Sequence, residues 1–264
     1  DCYCKKFKKV KYLEYRKSPP GEINLGLDLK NYKRYFFQCT ECKHLFAHHK
    51  KFSNQNLYSG KYVDETYGGL EGIKKSFAKV RSYPKKKSDN HHRCNRIEKL
   101  IKFNKKFITF DIGSGLGIFP YEFTQRGYSV VCNDPDSKSI RFIKKNLKLN
   151  TILGDFLKTK VEKKFELITF NKVLEHIEIP KLFILKAKLF LKKGGYIYIE
   201  VPDILAINDK VKKNREEFLM GHYHVFSKQS LKRLIESCSF RVLTLKSIRD
   251  PSGKYTIFCF AKKI

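Results

Sequence analysis

Three carboxylates and one glycine turn carry the chemistry that can be read first. Residues 107–117 run Phe-Ile-Thr-Phe-Asp-Ile-Gly-Ser-Gly-Leu-Gly. An apolar stretch ends in Asp111. Gly113, Gly115 and Gly117 follow at alternate positions, with Ser114 between the first two, and a helical pattern opens directly afterwards. That is a strand, a tight turn without Cβ atoms and a helix N-terminus, so a nucleotide-like ligand can press against the backbone. Asp134 stands about 20 residues further on, in Asn133-Asp134-Pro135-Asp136, where a carboxylate can accept hydrogen bonds from ribose hydroxyls. Asp155 follows Gly154 and precedes Phe156, a pairing of acceptor and π face that suits an adenine. Asn171 opens the stretch Asn171-Lys172-Val173-Leu174-Glu175-His176 after another apolar run. Plainer roles stay open for single residues: Asp134 can cap the helix behind it, and Asp155 can close a turn.

The glycine spacing argues against a dinucleotide, because the third glycine comes two residues after the second rather than three. Asp111 would also place a negative charge where a pyrophosphate should lie. A carboxylate there suits a cofactor bearing an ammonium group. S-adenosylmethionine has an ammonium, a sulfonium, a ribose and an adenine.

The elements that must position these residues alternate from Lys105 onward. Strands are expected at Phe107–Asp111, Tyr128–Asn133, Asn150–Leu153, Phe165–Phe170 and Tyr196–Val201. Helices are expected at Ile118–Arg126, Ser137–Leu147, Pro180–Lys192 and Ser227–Ser237, with Gly127 and Gly194-Gly195 as stops and Ser227 as a cap. Arg241–Ile248 and Lys254–Ala261 flank Asp250-Pro251-Ser252-Gly253 and predict a closing hairpin. Such repetition implies an α/β fold: a doubly wound, Rossmann-like seven-stranded sheet with a C-terminal antiparallel hairpin, its ligand outside the carboxyl ends of the strands. Three regions result. They are a Cys-flanked segment at 1–50 with a Pro19-Pro20-Gly21 turn, a Tyr- and Lys-rich region at 51–104, and the cofactor-binding domain at 105–264. In the middle region, helices are expected around Leu70–Val80 and Cys94–Phe103, joined by a loop over Lys85–Asn90, and Tyr58, Tyr62 and Tyr67 are candidates for a lid.

In these stretches the chain resembles the class I S-adenosylmethionine-dependent methyltransferases. The matching segments are Phe110–Gly117, Asn133–Asp136, Gly154-Asp155, Val173–His176, and Leu191–Gly195 before Tyr196–Pro202. The resemblance implies that Asp111, Gly113, Ser114, Gly115 and Gly117 border the methionine part. It further implies Asp134 and Pro135 at the ribose, Asp155 and Phe156 at the adenine, and Asn171 at the methionine end. The segment Gly221-His222-Tyr223-His224 resembles the His-containing stretch of small-molecule and sugar methyltransferases, which makes His222 the candidate general base. In sugar carbon-methyltransferases a Glu precedes that His; here Gly221 does.

Four of the eight cysteines lie at the front: Cys2, Cys4, Cys39 and Cys42. Cys39-Thr-Glu-Cys42 has the spacing at which two thiolates meet one tetrahedral zinc. Cys2-Tyr-Cys4 is tighter, and His44, His48 or His49 could replace a cysteine. Some methyltransferases of this class carry a small zinc module in front, and Asn31–Cys39 resembles the stretch before its second cysteine pair. Such a site is structural, since four thiolates leave no open position.

Lys and Arg number 56 against 26 acidic residues, a net charge of +30. That field attracts polyanions such as RNA or an anionic membrane face. The same bias follows from an AT-rich genome, and the basic residues are spread along the whole length. No apolar run approaches the roughly 20 residues that span a bilayer, so no membrane span and a cytoplasmic location are expected. The leading expectation is methyl transfer to a small molecule or sugar, on oxygen or carbon. The alternatives are an RNA methyltransferase and a non-catalytic zinc-containing nucleic-acid-binding protein.

Overall fold

The computed structural model describes residues 2, 4, 8–18, 32–49, 61–205, 218 and 221–264. The expected turn at 19–21, Tyr58 and the side chains of Tyr62 and His49 lie outside the described residues.

The larger sheet has seven strands: β4 (Ile108–Ile112), β5 (Ser129–Asp134), β6 (Asn150–Leu153), β7 (Phe165–Asn171), β8 (Leu191–Pro202), β10 (Phe240–Arg249) and β11 (Tyr255–Lys263). Their order is β10-β11-β8-β7-β4-β5-β6. The strands from β6 to β8 pair in parallel, and β11 runs antiparallel to both neighbours, as the closing hairpin requires. The chain crosses from β4 to β5 on one side and to β7 on the other, so the sheet reverses direction beside β4. A ligand crevice opens at such a switch point.

Each face of this sheet is covered by helices. On one side Ile184 and Ala187 of α6 (Pro180–Phe190) and Leu231, Leu234 and Ile235 of α7 (Lys228–Ser237) pack on Phe110, Ile168 and Ile199. On the other, Ile73 of α2 (Gly69–Arg81), Ile97 of α3 (Asp89–Leu100) and Phe119 and Phe123 of α4 (Ile118–Gln125) pack on Val130, Leu167 and Tyr198. A shorter helix, α1 (Lys61–Tyr67), precedes α2, and its Asp64 pairs with Lys138 of α5 (Ser137–Phe142).

A second, antiparallel sheet gathers the front of the chain: β1 (Lys9–Tyr15), β2 (Arg34–Cys39) and β3 (Leu45–His49). Its fourth strand, β9 (His224–Val225), comes from the far end of the sequence, with Leu45 opposite Val225 and Phe46 opposite His224. The Ser227 hydroxyl caps α7 in a capping box with Ser230 and also donates to the Cys42 carbonyl at 2.6 Å. The front sheet is thereby fastened to the larger one.

Several expected boundaries move. Helix α3 starts at Asp89, because Ser88 caps it by accepting from the His91 N–H; the expected loop contracts to one 3₁₀ turn at Lys85–Lys87. Helix α5 ends at Phe142 and relaxes into a π turn over Ile143–Leu147. Helix α6 stops at Phe190, and Leu191 already pairs with Phe165 in β8. Gly194, at φ +70°, makes a bulge inside that strand rather than a helix stop.

Beneath the strand ends lies a buried ionic network. Glu200, on β8, is fully buried. It accepts from Arg93 (2.5 and 2.8 Å), Arg96 (2.6 Å) and the Tyr198 hydroxyl (2.5 Å). Burial alone would push its carboxyl up, yet the two guanidiniums hold it down to about 2. Removing one partner of a buried pair costs about 3–5 kcal/mol. Glu200→Ala should lower the unfolding free energy by that amount in urea titrations near pH 7. Because the folded value lies below the ordinary carboxyl range, this contribution is complete above about pH 4.5 and fades as pH falls toward 2. The variant should therefore lose less stability than the parent over that interval.

Candidate functional site

The three glycines all have positive φ, each in a different setting. A Cβ on Gly113 would stand 2.7 Å from Val173 Cγ2, and one on Gly117 would stand 2.8 Å from both Ile143 and Leu147. Those two are glycine because neighbouring side chains fill the space. At Gly115 no atom lies within 4 Å of a Cβ position, and this residue faces a cavity of about 950 Å³. Gly115 thus opens the turn to a ligand, while Gly113 and Gly117 let its walls close. Ser114 ties the turn by donating from its hydroxyl to the Asp111 carbonyl at 3.0 Å.

Asp111 and Asp134 end neighbouring strands and are both buried. The Asp111 Oδ1 accepts from the Thr169 hydroxyl at 2.6 Å and the Asn171 amide at 2.9 Å, which joins β4 to β7. Asn171 Oδ1 is buried with no hydrogen-bond partner among the described residues. The Asp134 carboxylate accepts from the Gly115 N–H at 2.8 Å and the Asp136 N–H at 2.9 Å. Burial pushes both carboxyls up to about 6, against the pull of these donors. Two partly desolvated carboxylates beside an open turn favour a cationic ligand.

The helix cap is Asp136, not Asp134: Asp136 Oδ1 accepts from the N–H groups of Lys138 and Ser139. Asp134 is therefore free of the capping role, and it lines the cavity together with Pro135. The neighbouring Asn133 donates to the carbonyls of Ile152 and Gly154, both at 3.0 Å, and so fixes the loop that carries Asp155. Asp155 does close its own turn, accepting from the Leu157 N–H at 2.9 Å, and also borders the cavity. Phe156 is 2% exposed and packs among Phe110, Phe170, Phe183 and Phe190, and it also borders the cavity between Asp155 and Leu157.

Other wall residues were not singled out from the sequence: Val63 of α1, Lys172, Val173 and Leu182. Tyr67 was, and it also lines the cavity. Lys172 sits at φ +59°, a conformation no composition rule signals, and donates to the Thr256 hydroxyl at 2.6 Å. Burial pushes its ammonium down.

Of the two histidines near the acceptor side, His176 lines the cavity. His222 stands against it edge to face, with ring centroids 4.5 Å apart, and is not among the described cavity-lining residues. His176 Nδ1 lies 2.7 Å from the Gly221 carbonyl and must donate to it, which makes Nε2 the basic nitrogen. Burial takes this imidazole down to about 4.

The four front cysteines converge, with all ligand atoms within 4.8 Å of one another. The Cys2–Cys4 sulfur separation is 3.2 Å and Cys4–Cys39 is 3.7 Å. A tetrahedral zinc with bonds of about 2.3 Å needs sulfurs just under 4 Å apart, so the four residues fit that ion. Lys43, at φ +63°, turns the Cys39–Cys42 knuckle back; across it the Cys39 N–H donates to the His44 carbonyl and the Lys43 N–H to the Cys39 carbonyl, both at 2.9 Å. His44 stays outside the cluster, bonded to Ser230 and His224.

Comparison with known proteins bears on this geometry. The chain is 27% identical over 116 residues to a ubiquinone biosynthesis O-methyltransferase of Nitrosomonas europaea, covering 41% of this chain and 49% of that protein. A protein of the same name from Pelagibacter ubique is 31% identical over 100 residues, 36% of this chain and 42% of that one. The matches span about half the length of those relatives or less. Among solved structures, the 1,6-didemethyltoxoflavin-N1-methyltransferase of Burkholderia thailandensis, with S-adenosylhomocysteine bound, covers 85% of this chain and 97% of its own (TM-score 0.56, 13% identity). A protein from Pyrococcus horikoshii OT3 covers 71% of this chain and 99% of its own (TM-score 0.53, 21% identity). These similarities concern the fold. A family model for the methyltransferase domain matches residues 86–245, more than half of the sequence and the whole of the glycine turn with its carboxylates. By fold and by that match, the chain belongs to the methyltransferase domain family.

Proposed function

We propose that the protein transfers a methyl group from S-adenosylmethionine to a small-molecule acceptor. The observation that carries this reading is the buried Asp134 carboxylate, which lines the cavity beside the open Gly115 turn, with Asp111 buried on the strand that leads into that turn. Asp134 accepts from the ribose hydroxyls, and Asp155 faces the adenine. Asp111 attracts the ammonium across the turn, with the Asn171 amide oxygen as its neighbour. The cofactor supplies an electrophilic methyl on a sulfonium. The chain's part is to hold an acceptor in line with it and to exclude water. Relatives named as O-methyltransferases favour a hydroxyl over a carbon centre. The acceptor oxygen forms the new bond to the methyl carbon as the carbon–sulfur bond breaks, and its proton passes to a base. His176 borders the cavity and takes that proton on Nε2, while His222 packs behind it and holds its ring.

The direct test is transfer of labelled methyl from S-adenosylmethionine to small-molecule, sugar-nucleotide and RNA fractions. Label should appear in the small-molecule fraction; label confined to RNA would overturn the acceptor class. His176→Gln should lower kcat by about 10²-fold or more with little change in cofactor affinity. With its imidazole near 4, kcat should stay level through neutral pH and fall only as pH approaches 4.

Cofactor affinity should follow different groups. In the free protein Asp111 and Asp134 protonate near 6, and a cationic ligand favours their ionised forms. Affinity should therefore rise with pH through about 6 and level off above it, as read by calorimetric titration. Asp134→Asn should weaken binding by about 10- to 100-fold, the value of hydrogen bonds to a charged acceptor.

Cys2, Cys4, Cys39 and Cys42 are proposed to hold one structural zinc. Without a cation, burial pushes the Cys42 thiol up to about 12 and Cys2 higher still; a divalent ion reverses that cost. Elemental analysis should find one zinc per chain, and Cys42→Ser should reduce it several-fold and lower the thermal midpoint.

A further inference from the structure

Helix α6 is apolar on both faces. Its inner residues Phe183, Ile184, Ala187 and Phe190 belong to the core. Its outer face carries Leu182, Leu185 and Leu189, which are 45%, 39% and 63% exposed, and Ile179 just before the helix is 53% exposed. Positions 182, 185 and 189 fall on one side of a helix. The core contacts of the inner face keep the helix from rotating this stripe out of water. Isolated exposed leucines need no explanation, but a contiguous stripe marks an interaction surface.

The charges around the stripe are mostly positive, with Glu178 beside Ile179 as an acidic exception. The sequence Pro180–Phe190 contains three lysines and no acidic residue. Lys181, Lys186 and Lys188 flank the leucines on the helix itself. Lys164 donates to the Leu189 carbonyl at 2.5 Å and Lys263 to the Lys188 carbonyl at 2.8 Å, which brings two more cations to its C-terminal end. Lys158 lies at the other end, on the cavity wall with Ile179 and Leu182. The stripe thus continues into the cavity mouth.

We propose that this face of α6 docks on an anionic membrane surface, the leucines entering the headgroup boundary and the lysines meeting lipid phosphates. An apolar helix face rimmed with lysines has the composition of an in-plane interfacial helix. The charge complementarity selects anionic lipid over a second copy of this chain, whose own α6 face would present the same positive rim. Docking there holds the cavity mouth at the lipid surface. Given the methyl-transfer reading above, the acceptor is then an amphiphile drawn from the bilayer; the docking itself does not depend on that reading.

Co-sedimentation of the full chain with extruded vesicles tests it. Binding to phosphatidylcholine mixed with phosphatidylglycerol, weak binding to phosphatidylcholine alone, and weakening at high salt are expected. Leu185→Glu with Leu189→Glu should reduce binding by about tenfold or more, with the near-ultraviolet circular dichroism and S-adenosylmethionine affinity of the parent. Lys75→Ala with Lys79→Ala, on α2 across the sheet, makes the same change in net charge as the leucine variant and should leave binding within about twofold if the α6 face is specific. Equal loss in both double variants would mean that overall charge alone drives binding and would overturn the proposal. So would unchanged binding in the leucine variant, or a parent dimer by light scattering that the leucine variant dissolves without any vesicle binding. Failure of vesicle binding with methyl transfer to a water-soluble acceptor intact would reject the docking alone. Vesicle binding without methyl transfer to any acceptor would reject only the functional reading.

Discussion

The site depends on one carboxylate shared between two strands. Asp111 ends β4, and its Oδ1 takes hydrogen bonds from Thr169 and Asn171 on β7. The chain reaches those strands through different crossovers, so this bridge sits where the sheet changes direction. It ties Asn171 to the strand that leads into the glycine turn. Burial costs the ionised form of Asp111, so the apo protein holds a carboxyl poised near 6 rather than a settled anion. Asp134 repeats the device one strand away, with backbone N–H groups of the turn as its donors.

What surrounds this centre is positioned mainly by backbone. Asn133 spans from β5 to the loop after β6, and the Tyr223 N–H donates to the Glu175 carbonyl at 2.7 Å. The Ala47 N–H in turn donates to the Tyr223 carbonyl at 2.7 Å. The front sheet thereby touches the loop that carries His176. A second route runs through side chains. Glu178 O accepts from His224, His224 Nδ1 accepts from His44, and His44 Nδ1 meets the Ser230 hydroxyl. Both rings are buried and neutral, His224 being taken down to about 4 by burial. The cysteine cluster and the cavity wall are thus parts of one packed assembly.

Much of this was legible because its signals are local. The glycine turn, Asp134 and Asp155 each stand at a strand end, and strand ends are marked by a change from apolar residues to turn formers. The cysteines converge as their spacing suggests. The features that escaped depend on distant partners. Phe156 borders the cavity beside Asp155, but its packing with Phe110, Phe183 and Phe190 is not announced by its sequence neighbours. The boundary at Phe190–Leu191 was invisible because the apolar pattern of the helix runs on into the strand. Strand β9 is two residues long and shares its ladder with β3, far earlier in the chain, which periodicity cannot report. His222, the candidate from the His-containing segment, packs against His176, the cavity-wall residue that follows β7, a contact between distant segments that the sequence does not display. The Glu200 network was not anticipated at all, since Arg93 and Arg96 lie more than a hundred positions from the carboxylate they hold.

The late arrival of β9 has a consequence for biogenesis. While the chain is being synthesised, β1, β2 and β3 emerge before the larger sheet and leave the far edge of β3 unpaired. That edge stays open until residues 224 and 225 leave the ribosome, by which time β4 through β8 have already emerged. Closure of the front sheet is thus a late event in maturation, and it coincides with the docking of α7 through Ser227 onto the Cys42 carbonyl. A segment made early is locked by one made much later.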